Sequence, residues 1–249
     1  EFTDVSKNGI RCRQVRITDL EGRMEGRGGH RPHRHLADLL GIVEGSSISV
    51  GAKRIGREIL TEIARVEAQI HDVAVEQVHF HEVGGLDSLL DIIGSAVLLD
   101  LLAVERAYSD PVCTGFGTVQ TEHGLLPVPA PATAALLRGM PTYKGDEAGE
   151  RTTPTGAAIL RYLEPAFDPP ALITRAIGYG PGQKDFKAPN LLRVSRVEPA
   201  DAAPPGPTVG VIECNIDDAP AEFLGGDLQD DLRAQGARDV FLTDVQMKK

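Results

Sequence analysis

Apolar residues recur at helical spacing in the first third of the chain and alternate with polar residues in several shorter runs. Isoleucine or valine at every third or fourth position predicts an amphipathic helix over residues 55–70, and a shorter helix is predicted over 35–40. Alternation over residues 10–18 is typical of a half-exposed strand. Further strands are predicted over residues 105–113, 172–177 and 191–197.

Prolines divide the rest of the chain into helices and a linker. One helix is predicted after Pro131 and another at Pro154, because proline fits the first helical turn, where its missing N–H has no intrahelical partner. The stretch 198–208 is rich in proline and alanine and lacks apolar periodicity, which predicts a linker. The pattern therefore predicts an α/β or α+β main domain over residues 1–197.

The residues after the linker indicate the beginning of a second domain. Two strand-like runs within residues 209–249, VGVIECNID and ARDVFLTDVQM, flank a helix predicted over 220–235. A strand-helix-strand unit of this size is too small to bury its own faces. We therefore expect residues 209–249 to be the start of a truncated ferredoxin-like α+β domain, whose exposed sheet favours a homo-oligomer.

The longest apolar run, VHFHEVGGLDSLLDIIGSAVLLDLL, occupies residues 78–102. It predicts a helix in which Asp87 and Asp91 lie at i and i+4 on one face, which Gly94 and Ser95 continue. Burying a carboxylate without a partner costs several kcal/mol, so a cap, a cation or a substrate is expected to offset that cost. Asp87 lies near the predicted helix start, where it is suited to be the N-cap, whereas Asp91 lies too far into the helix to cap it.

Two histidines stand just before this helix, at a spacing of two. In a strand His79 and His81 would point to the same face, and neutral imidazole is a ligand for nickel, zinc and copper. An ordinary hydrogen-bonded histidine pair explains the same pattern. The carboxylates that follow, Glu82 and the two helical aspartates, favour a metal or ligand site.

Other histidines occur in loops. His30, His33 and His35 lie in a segment rich in glycine and arginine that is suited to collect a cation, and a solvated loop with incidental histidines is the alternative. His123 lies at a predicted turn, where a histidine is usually structural or exposed to solvent. The sequence pattern alone does not distinguish metal-binding histidines from structural or solvent-exposed ones.

The segment ERTTPTGAAIL resembles an ordinary helix start that is also suited to bind phosphate. Thr152 or Thr153 is placed as the N-cap before Pro154. The free backbone N–H groups of such a first turn attract anions. The sequence therefore leaves open a purely structural role and a phosphate site.

Acidic residues cluster where the second domain is expected to pass from a strand into a helix. Oxygen ligands of this kind hold Mg²⁺ or Mn²⁺ with a nucleotide triphosphate. A helix N-terminus also favours acidic residues for electrostatic reasons alone. The cluster comprises Glu213, Asp217, Asp218 and Glu222.

Composition excludes several classes of partner. The formal net charge is -10, and nucleic acids are bound through clustered lysine and arginine, so no DNA or RNA partner is expected. Aspartates interrupt the longest apolar run, so no membrane span is expected either. The cysteines, Cys12, Cys113 and Cys214, are far apart and odd in number, which indicates a reducing, cytoplasmic location rather than a disulfide framework.

Taken together, the motifs resemble one protein family. They follow one another in the order seen in the LarC family of nickel-insertion proteins, which belong to the lactate-racemase cofactor pathway. The motifs are HRHLADLL, VHFHEVGGLDSLLDIIGSAVLLDLL, HGLLPVPAPATAALLRG, TTPTGAAIL, IGYGPG with PNLLRV, and ECNIDD with VFLTDVQMKK. The resemblance covers essentially the whole chain.

The resemblance implies a nickel chelatase, that is, a cyclometallase of the lyase class. Such an enzyme inserts Ni²⁺ into pyridinium-3,5-bisthiocarboxylic acid mononucleotide, in a reaction that requires CTP with Mg²⁺ or Mn²⁺. In the product, the nickel-pincer nucleotide cofactor, nickel is bonded to a carbon between two sulfurs. The cofactor would then pass to lactate racemase or another nickel-pincer enzyme.

The resemblance also implies roles for the candidate metal ligands and the base. Imidazoles hold nickel loosely enough to release it to soft sulfur ligands. Glu82 or Asp91 is expected to accept the proton displaced from the pyridinium carbon, because burial raises the basicity of a carboxylate. The implied metal ligands are His33, His35, His79, His81, Asp87 and His123.

Binding roles follow for the substrate and the nucleotide. Thr153, Thr155 and Gly156 are expected to seat the phosphate of the mononucleotide. Asp217 and Asp218 are expected to bind CTP through its divalent cation.

Two further expectations concern the ends of the chain and the alternative function. The family's opening DCFAGISGDM-type segment is absent here and its C-terminal domain continues past the position of Lys249, so we expect segments to be missing at both ends. The alternative function is a non-catalytic nickel carrier or store. The proline-led and glycine-rich turns favour an enzyme, since a store needs no substrate pocket.

Overall fold

Helices and small sheets alternate along the chain, which confirms the predicted α/β or α+β class. The computed structural model describes residues 1–16, 34–80, 85–200, 210–211 and 225–241. The chain divides into two units, Glu1–Ala202 and Ala203–Lys249. The ferredoxin-like character of the second unit stays a prediction.

One long helix forms the centre of the first unit. The helices of this unit are α1 (Leu36–Gly45), α2 (Val50–His71), α3 (Leu86–Leu101), α4 (Pro131–Leu136) and α5 (Pro154–Leu163). The four others all contact α2. Ile55, Ile59, Leu60 and Ile63 of α2 are buried among them, so this helix carries much of the hydrophobic core.

Helix α2 begins five residues before the predicted start at residue 55. Ser49 is its N-cap, and the Ser49 side chain accepts a hydrogen bond from the Ala52 N–H at 3.1 Å. Gly51 and Gly56 lie in the first two turns and contribute no apolar side chain. The apolar periodicity therefore starts later than the helix.

The strands within the described residues form short pairs rather than one large sheet. The pairs are β1 (Phe2–Lys7) with β2 (Ile10–Val15), β3 (Val112–Cys113) with β7 (Thr142–Tyr143), β4 (Gly115–Phe116) with β8 (Gly149–Glu150), β5 (Thr118–Thr121) with β6 (Gly124–Pro127), and β9 (Leu172–Pro181) with β10 (Leu191–Pro199). The β3–β7 pair is parallel and the other four are antiparallel.

Two strand predictions need correction in length. The strand predicted over 105–113 is reduced to Val112–Cys113, because Pro111 has no N–H to donate to a ladder. The strand predicted over 172–177 extends to Pro181, where its ladder with β10 ends. Its long antiparallel partner supplies hydrogen bonds that apolar alternation alone does not reveal.

In the second unit the described helix is α6, Gly226–Ala234. The predicted helix over 220–235 overlaps it, and residues 212–224 lie outside the described part of the chain. Among the described residues, no helix is both long enough and apolar enough to cross a membrane.

Candidate functional site

Two histidines that the sequence places in different clusters are neighbours in the structure. The ring centroids of His35 and His79 are 4.3 Å apart, and the rings are tilted by 49°. His35 Nδ1 lies 3.2 Å from the carbonyl oxygen of Val78. An imidazole from each predicted cluster therefore contributes to one paired site.

Short-range hydrogen bonds hold the two segments together. The Phe80 N–H donates to the carbonyl oxygen of Arg34 at 3.2 Å, which forms an isolated antiparallel bridge. Val78 and Phe80 are buried in the core, whereas His79 between them is exposed. The alternation predicted for this segment is therefore confirmed over residues 78–80, and it directs the His79 ring away from the core.

The position of His35 is fixed by the start of α1. His35 is the N-cap residue, and its backbone N–H donates to Asp38 Oδ2 at 2.9 Å. This bond satisfies a backbone donor at the helix start and anchors the His35 main chain. The imidazole is thereby held near His79 by both secondary structure and core packing.

Three further candidate site residues, His33, His81 and Glu82, lie outside the described residues. Among the residues that are described, no group of three histidine, cysteine, aspartate or glutamate side chains is arranged to hold a metal ion. A first-row metal commonly takes four or more ligands. The two imidazoles are therefore too few to hold such a metal without further ligands.

His123 belongs to a separate pair. Its ring centroid lies 5.0 Å from that of His71, with the planes tilted by 39°. His71 Nε2 is 3.5 Å from Glu67 Oε2 one turn earlier in α2. His71 was not predicted to lie near His123, because a basic residue in the last turn of a helix is also favoured by the helix dipole alone.

The two aspartates of α3 do not lie in the core. Gly85 is the N-cap, so the N-cap role expected for Asp87 is wrong and this residue lies in the first turn. Asp87 and Asp91 are both exposed, and Gly94 one turn further along is exposed as well. The apolar residues on the other faces, such as Leu89 and Ile92, are the buried ones. The expected need for a cap, a cation or a substrate to offset deep burial of these carboxylates therefore disappears.

Asp91 nevertheless differs chemically from an ordinary surface carboxylate. Partial desolvation by neighbouring protein atoms raises the pKa of Asp91, and the nearby charge of Asp87 raises it further. A carboxyl with a raised pKa is a better proton acceptor once it is ionised. The surroundings of Asp91 thus favour its protonated form more than water does.

The start of α5 has the predicted capping geometry. Thr153 is the N-cap, and its Oγ1 accepts a hydrogen bond from the Gly156 N–H at 3.3 Å, with Pro154 at the first helical position. The Gly156 N–H is therefore already engaged. The Thr155 N–H, in the first turn, has no intrahelical acceptor and is the donor best placed for an anion.

A mostly buried arginine precedes this helix start. The Arg151 side chain is 15% exposed, and its guanidinium carbon lies 3.4 Å from the centroid of the Phe186 ring. Arg151 Nη2 lies 3.8 Å from Glu147 Oε2, and the Nε atom of Arg151 is buried without a hydrogen-bond partner. Arg151 thus places positive charge two residues before the N-cap Thr153. Arg151 contacts Phe186, which is distant in sequence, so the motif around Pro154 alone did not reveal this buried guanidinium.

Asp217 and Asp218, the candidates for nucleotide and divalent-cation binding, lie outside the described residues. The residues that are described therefore present two chemically distinct features, a pair of imidazoles beside α1 and a cationic helix start at α5. Imidazoles are ligands for transition metals, and the free N–H groups of a helix start attract anions.

Comparison with known proteins identifies the family. The family model for nickel insertion proteins matches residues 1–249, and the chain belongs to this family. A relative from Dictyoglomus thermophilum, provisionally named a nickel insertion protein, is 47% identical over 88% of this chain and 57% of its own length. One from Geotalea daltonii with the same name is 45% identical over 96% of this chain and 61% of its own length.

A third relative carries a more specific name. The pyridinium-3,5-bisthiocarboxylic acid mononucleotide nickel insertion protein of Desulfitobacterium hafniense is 41% identical over 98% of this chain and 60% of its own length. The present chain thus spans about three fifths of the length of the relatives it matches. No solved structure is detectably similar to it.

Proposed function

We propose that this chain acts in the insertion of Ni²⁺ into pyridinium-3,5-bisthiocarboxylic acid mononucleotide to form the nickel-pincer nucleotide cofactor. The activity is that of a nickel chelatase, a cyclometallase of the lyase class, and it depends on CTP with Mg²⁺ or Mn²⁺. The observation that carries the proposal is the 4.3 Å pairing of His35 with His79 in a chain of the nickel insertion family.

Nickel is the metal substrate of this reaction, and the imidazole pair is its proposed holding site. Two neutral imidazoles bind Ni²⁺ with intermediate affinity, which permits transfer to the softer sulfur atoms of the acceptor. His33 and His81, each two residues from a member of the pair, are the proposed additional ligands, with Asp87 and His123 as the remaining candidates. The pairing of His123 with His71 makes it the least direct of these.

Bond formation between nickel and carbon releases a proton from the pyridinium ring, so a base is required. Glu82 and Asp91 are the proposed acceptors. The raised pKa of Asp91 supports this role, because a weaker acid is the stronger conjugate base. Glu82 is supported by its position three residues after His79.

The start of α5 is the proposed seat of the substrate phosphate. Arg151 supplies positive charge, the Thr155 N–H supplies a free donor, and Thr153 with Gly156 fixes the turn. Asp217 and Asp218 are proposed to bind CTP through its divalent cation. The product is proposed to pass to lactate racemase or another nickel-pincer enzyme, in the cytoplasm, from a homo-oligomeric protein.

A test should separate insertion from simple nickel storage. The chain is incubated with Ni²⁺, CTP, Mg²⁺ and the mononucleotide, and the nickel adduct is detected by its absorbance and its mass. The proposal is supported when the wild-type chain forms the adduct and a His35→Ala, His79→Ala double variant does not. A protein that binds Ni²⁺ with or without CTP, yet yields no adduct when the mononucleotide is bound, is a carrier or store instead.

A further inference from the structure

The motifs IGYGPG and PNLLRV meet at the base of one loop, residues 182–190, which we call the β9–β10 loop. The Gly182 N–H donates to the carbonyl oxygen of Asn190 at 2.8 Å. Asn190 Nδ2 donates in turn to the carbonyl oxygen of Lys184 at 2.8 Å. A Cβ atom on Gly182 would lie 2.3 Å from Asn190 Nδ2, so the Asn190 side chain fills the space that this glycine leaves. The two motifs therefore close the loop on itself.

Three further contacts attach the β9–β10 loop to its neighbours. Lys7 Nζ donates to Asp185 Oδ1 at 2.6 Å, and Asn8 Nδ2 donates to the carbonyl oxygen of Lys187 at 3.1 Å. These two bonds tie the loop to the turn between β1 and β2. The Lys187 N–H donates to Glu147 Oε2 at 2.7 Å, which ties the loop to the segment just before β8.

Phe186, near the middle of this loop, supports the guanidinium of Arg151. At 3.4 Å from the ring centroid, the guanidinium carbon lies on the face of the Phe186 ring. Gly149 has a φ of +136°, and a Cβ atom there would lie 2.8 Å from Phe186 Cε1, so glycine leaves room for the ring. The 3.8 Å approach of Arg151 to Glu147 is longer than a hydrogen bond. The ring, rather than a hydrogen bond to Glu147, therefore orients the guanidinium.

We propose that Phe186 is a positioning residue for the substrate phosphate, which acts by holding the Arg151 guanidinium beside the start of α5. This inference rests on the proposed phosphate seat at that helix start. The Arg151 N–H donates to the carbonyl oxygen of Thr114 at 3.1 Å, so the main chain of Arg151 is fixed independently of the ring. Stacking on a ring face leaves the N–H donors at the edge of the guanidinium plane for an oxyanion, and an oriented side chain loses less entropy on binding.

The test is isothermal titration of the 249-residue chain with the mononucleotide and with its dephosphorylated nucleoside. Phe186→Leu is expected to weaken binding of the mononucleotide by about fivefold, as loss of a cation–π contact does, and to leave binding of the nucleoside unchanged. Phe2→Leu is the matched control, because the Phe2 ring also lies near an arginine, with its centroid 6.0 Å from Arg13 Cζ, and has no proposed role.

A double-mutant cycle shows whether Phe186 acts through Arg151. Adding Phe186→Leu to Arg151→Gln is expected to weaken mononucleotide binding by less than about twofold further, because no guanidinium remains for the ring to orient. Phe186 is half-buried and outside the hydrophobic core cluster, so the fold is expected to tolerate its loss. Phe186→Met is a second variant without a ring, and circular dichroism verifies the helix content of each variant.

The outcomes separate this inference from the proposed function. The inference is overturned if both Phe186 variants bind the mononucleotide as wild type does, if they weaken both ligands equally, or if the fivefold loss persists in the Arg151→Gln background. The phosphate seat still stands in each of these cases if Arg151→Gln alone weakens binding of the mononucleotide selectively. Unchanged mononucleotide binding by Arg151→Gln overturns the phosphate seat and the role of Phe186 together.

Discussion

The imidazoles of His35 and His79 face each other with centroids 4.3 Å apart, one at the N-cap of α1 and the other on an exposed position between two core residues. The His35 ring is held by the contact of its Nδ1 with the Val78 carbonyl oxygen, and it lies against the His79 ring. This arrangement suits the proposed nickel site, because side chains that already lie together lose less entropy on binding.

The first prediction concerns nickel affinity. His35→Ala combined with His79→Ala is expected to weaken Ni²⁺ binding by at least about tenfold, because the pair supplies two imidazole ligands. Isothermal titration of Ni²⁺ measures the change. The control is His71→Ala, which removes an imidazole that has no proposed role as a nickel ligand. An equal loss of affinity in the control contradicts a specific site at His35 and His79.

The second prediction follows from the raised pKa of Asp91. A carboxyl whose pKa is higher in the folded than in the unfolded protein lowers stability as pH rises through the interval between the two values. Asp91→Asn removes this effect and the repulsion from Asp87, which lies one turn away. The variant is therefore expected to be more stable than wild type by roughly 0.2–0.5 kcal/mol near neutral pH. The gain is small because water and salt screen the repulsion between the exposed Asp87 and Asp91 carboxylates.

Urea unfolding at two pH values measures this difference. The advantage of Asp91→Asn is expected to vanish at about pH 3, where the carboxyl is protonated in both states. Asp110→Asn, a change at a loop carboxylate, serves as the control. A variant that is less stable than wild type near neutral pH would show that Asp91 makes a favourable interaction instead.

A third prediction compares two glycines within helices. Gly41 in α1 has open space where a Cβ would lie, so Gly41→Ala is expected to stabilise the protein by about 0.5–1 kcal/mol through helix propensity. At Gly51 the same change meets the Asp100 carboxylate, which must move and lose its bond to Ser49. Gly51→Ala is therefore expected to destabilise the protein by about 1 kcal/mol.

Thermal and urea unfolding of the two variants test this contrast. Adding Asp100→Ala to Gly51→Ala should recover part of the loss, because the clash disappears even though the hydrogen bond to Ser49 does not return. Stabilisation by Gly51→Ala alone would show that Asp100 moves at no cost.

A fourth prediction addresses the helix start at α5. Arg151→Gln is expected to weaken binding of the mononucleotide by about tenfold, because one charge-assisted hydrogen bond to phosphate is lost. The dephosphorylated nucleoside should bind wild type and variant alike, since its binding does not involve that charge. Arg175→Gln is the control, because Arg175 is bonded to Glu198 at 2.8 Å on the β9–β10 pair. Equal weakening of both ligands would indicate structural damage through the lost contact with Phe186.

Features that depend on neighbouring residues were largely predictable from the sequence. The helix start at Pro154 was among them, with Thr152 or Thr153 predicted as its N-cap, because a cap bonds only to N–H groups two or three residues away; the structure selects Thr153. Helix α2 was predicted from its apolar periodicity in the same way. Its first turn was missed because Gly51 contributes no apolar side chain to the pattern. The sequence also named His35 and His79 separately as metal candidates.

Pairings between distant residues were decided only by the tertiary structure. The meeting of His35 with His79, of His123 with His71 and of Arg151 with Phe186 depends on how the helices and loops pack around α2. The exposure of the α3 aspartates was decided in the same way, because an apolar helix buries only those faces that meet a neighbour. Local chemistry thus determined the elements and the candidate ligands, and long-range packing determined which of them face one another.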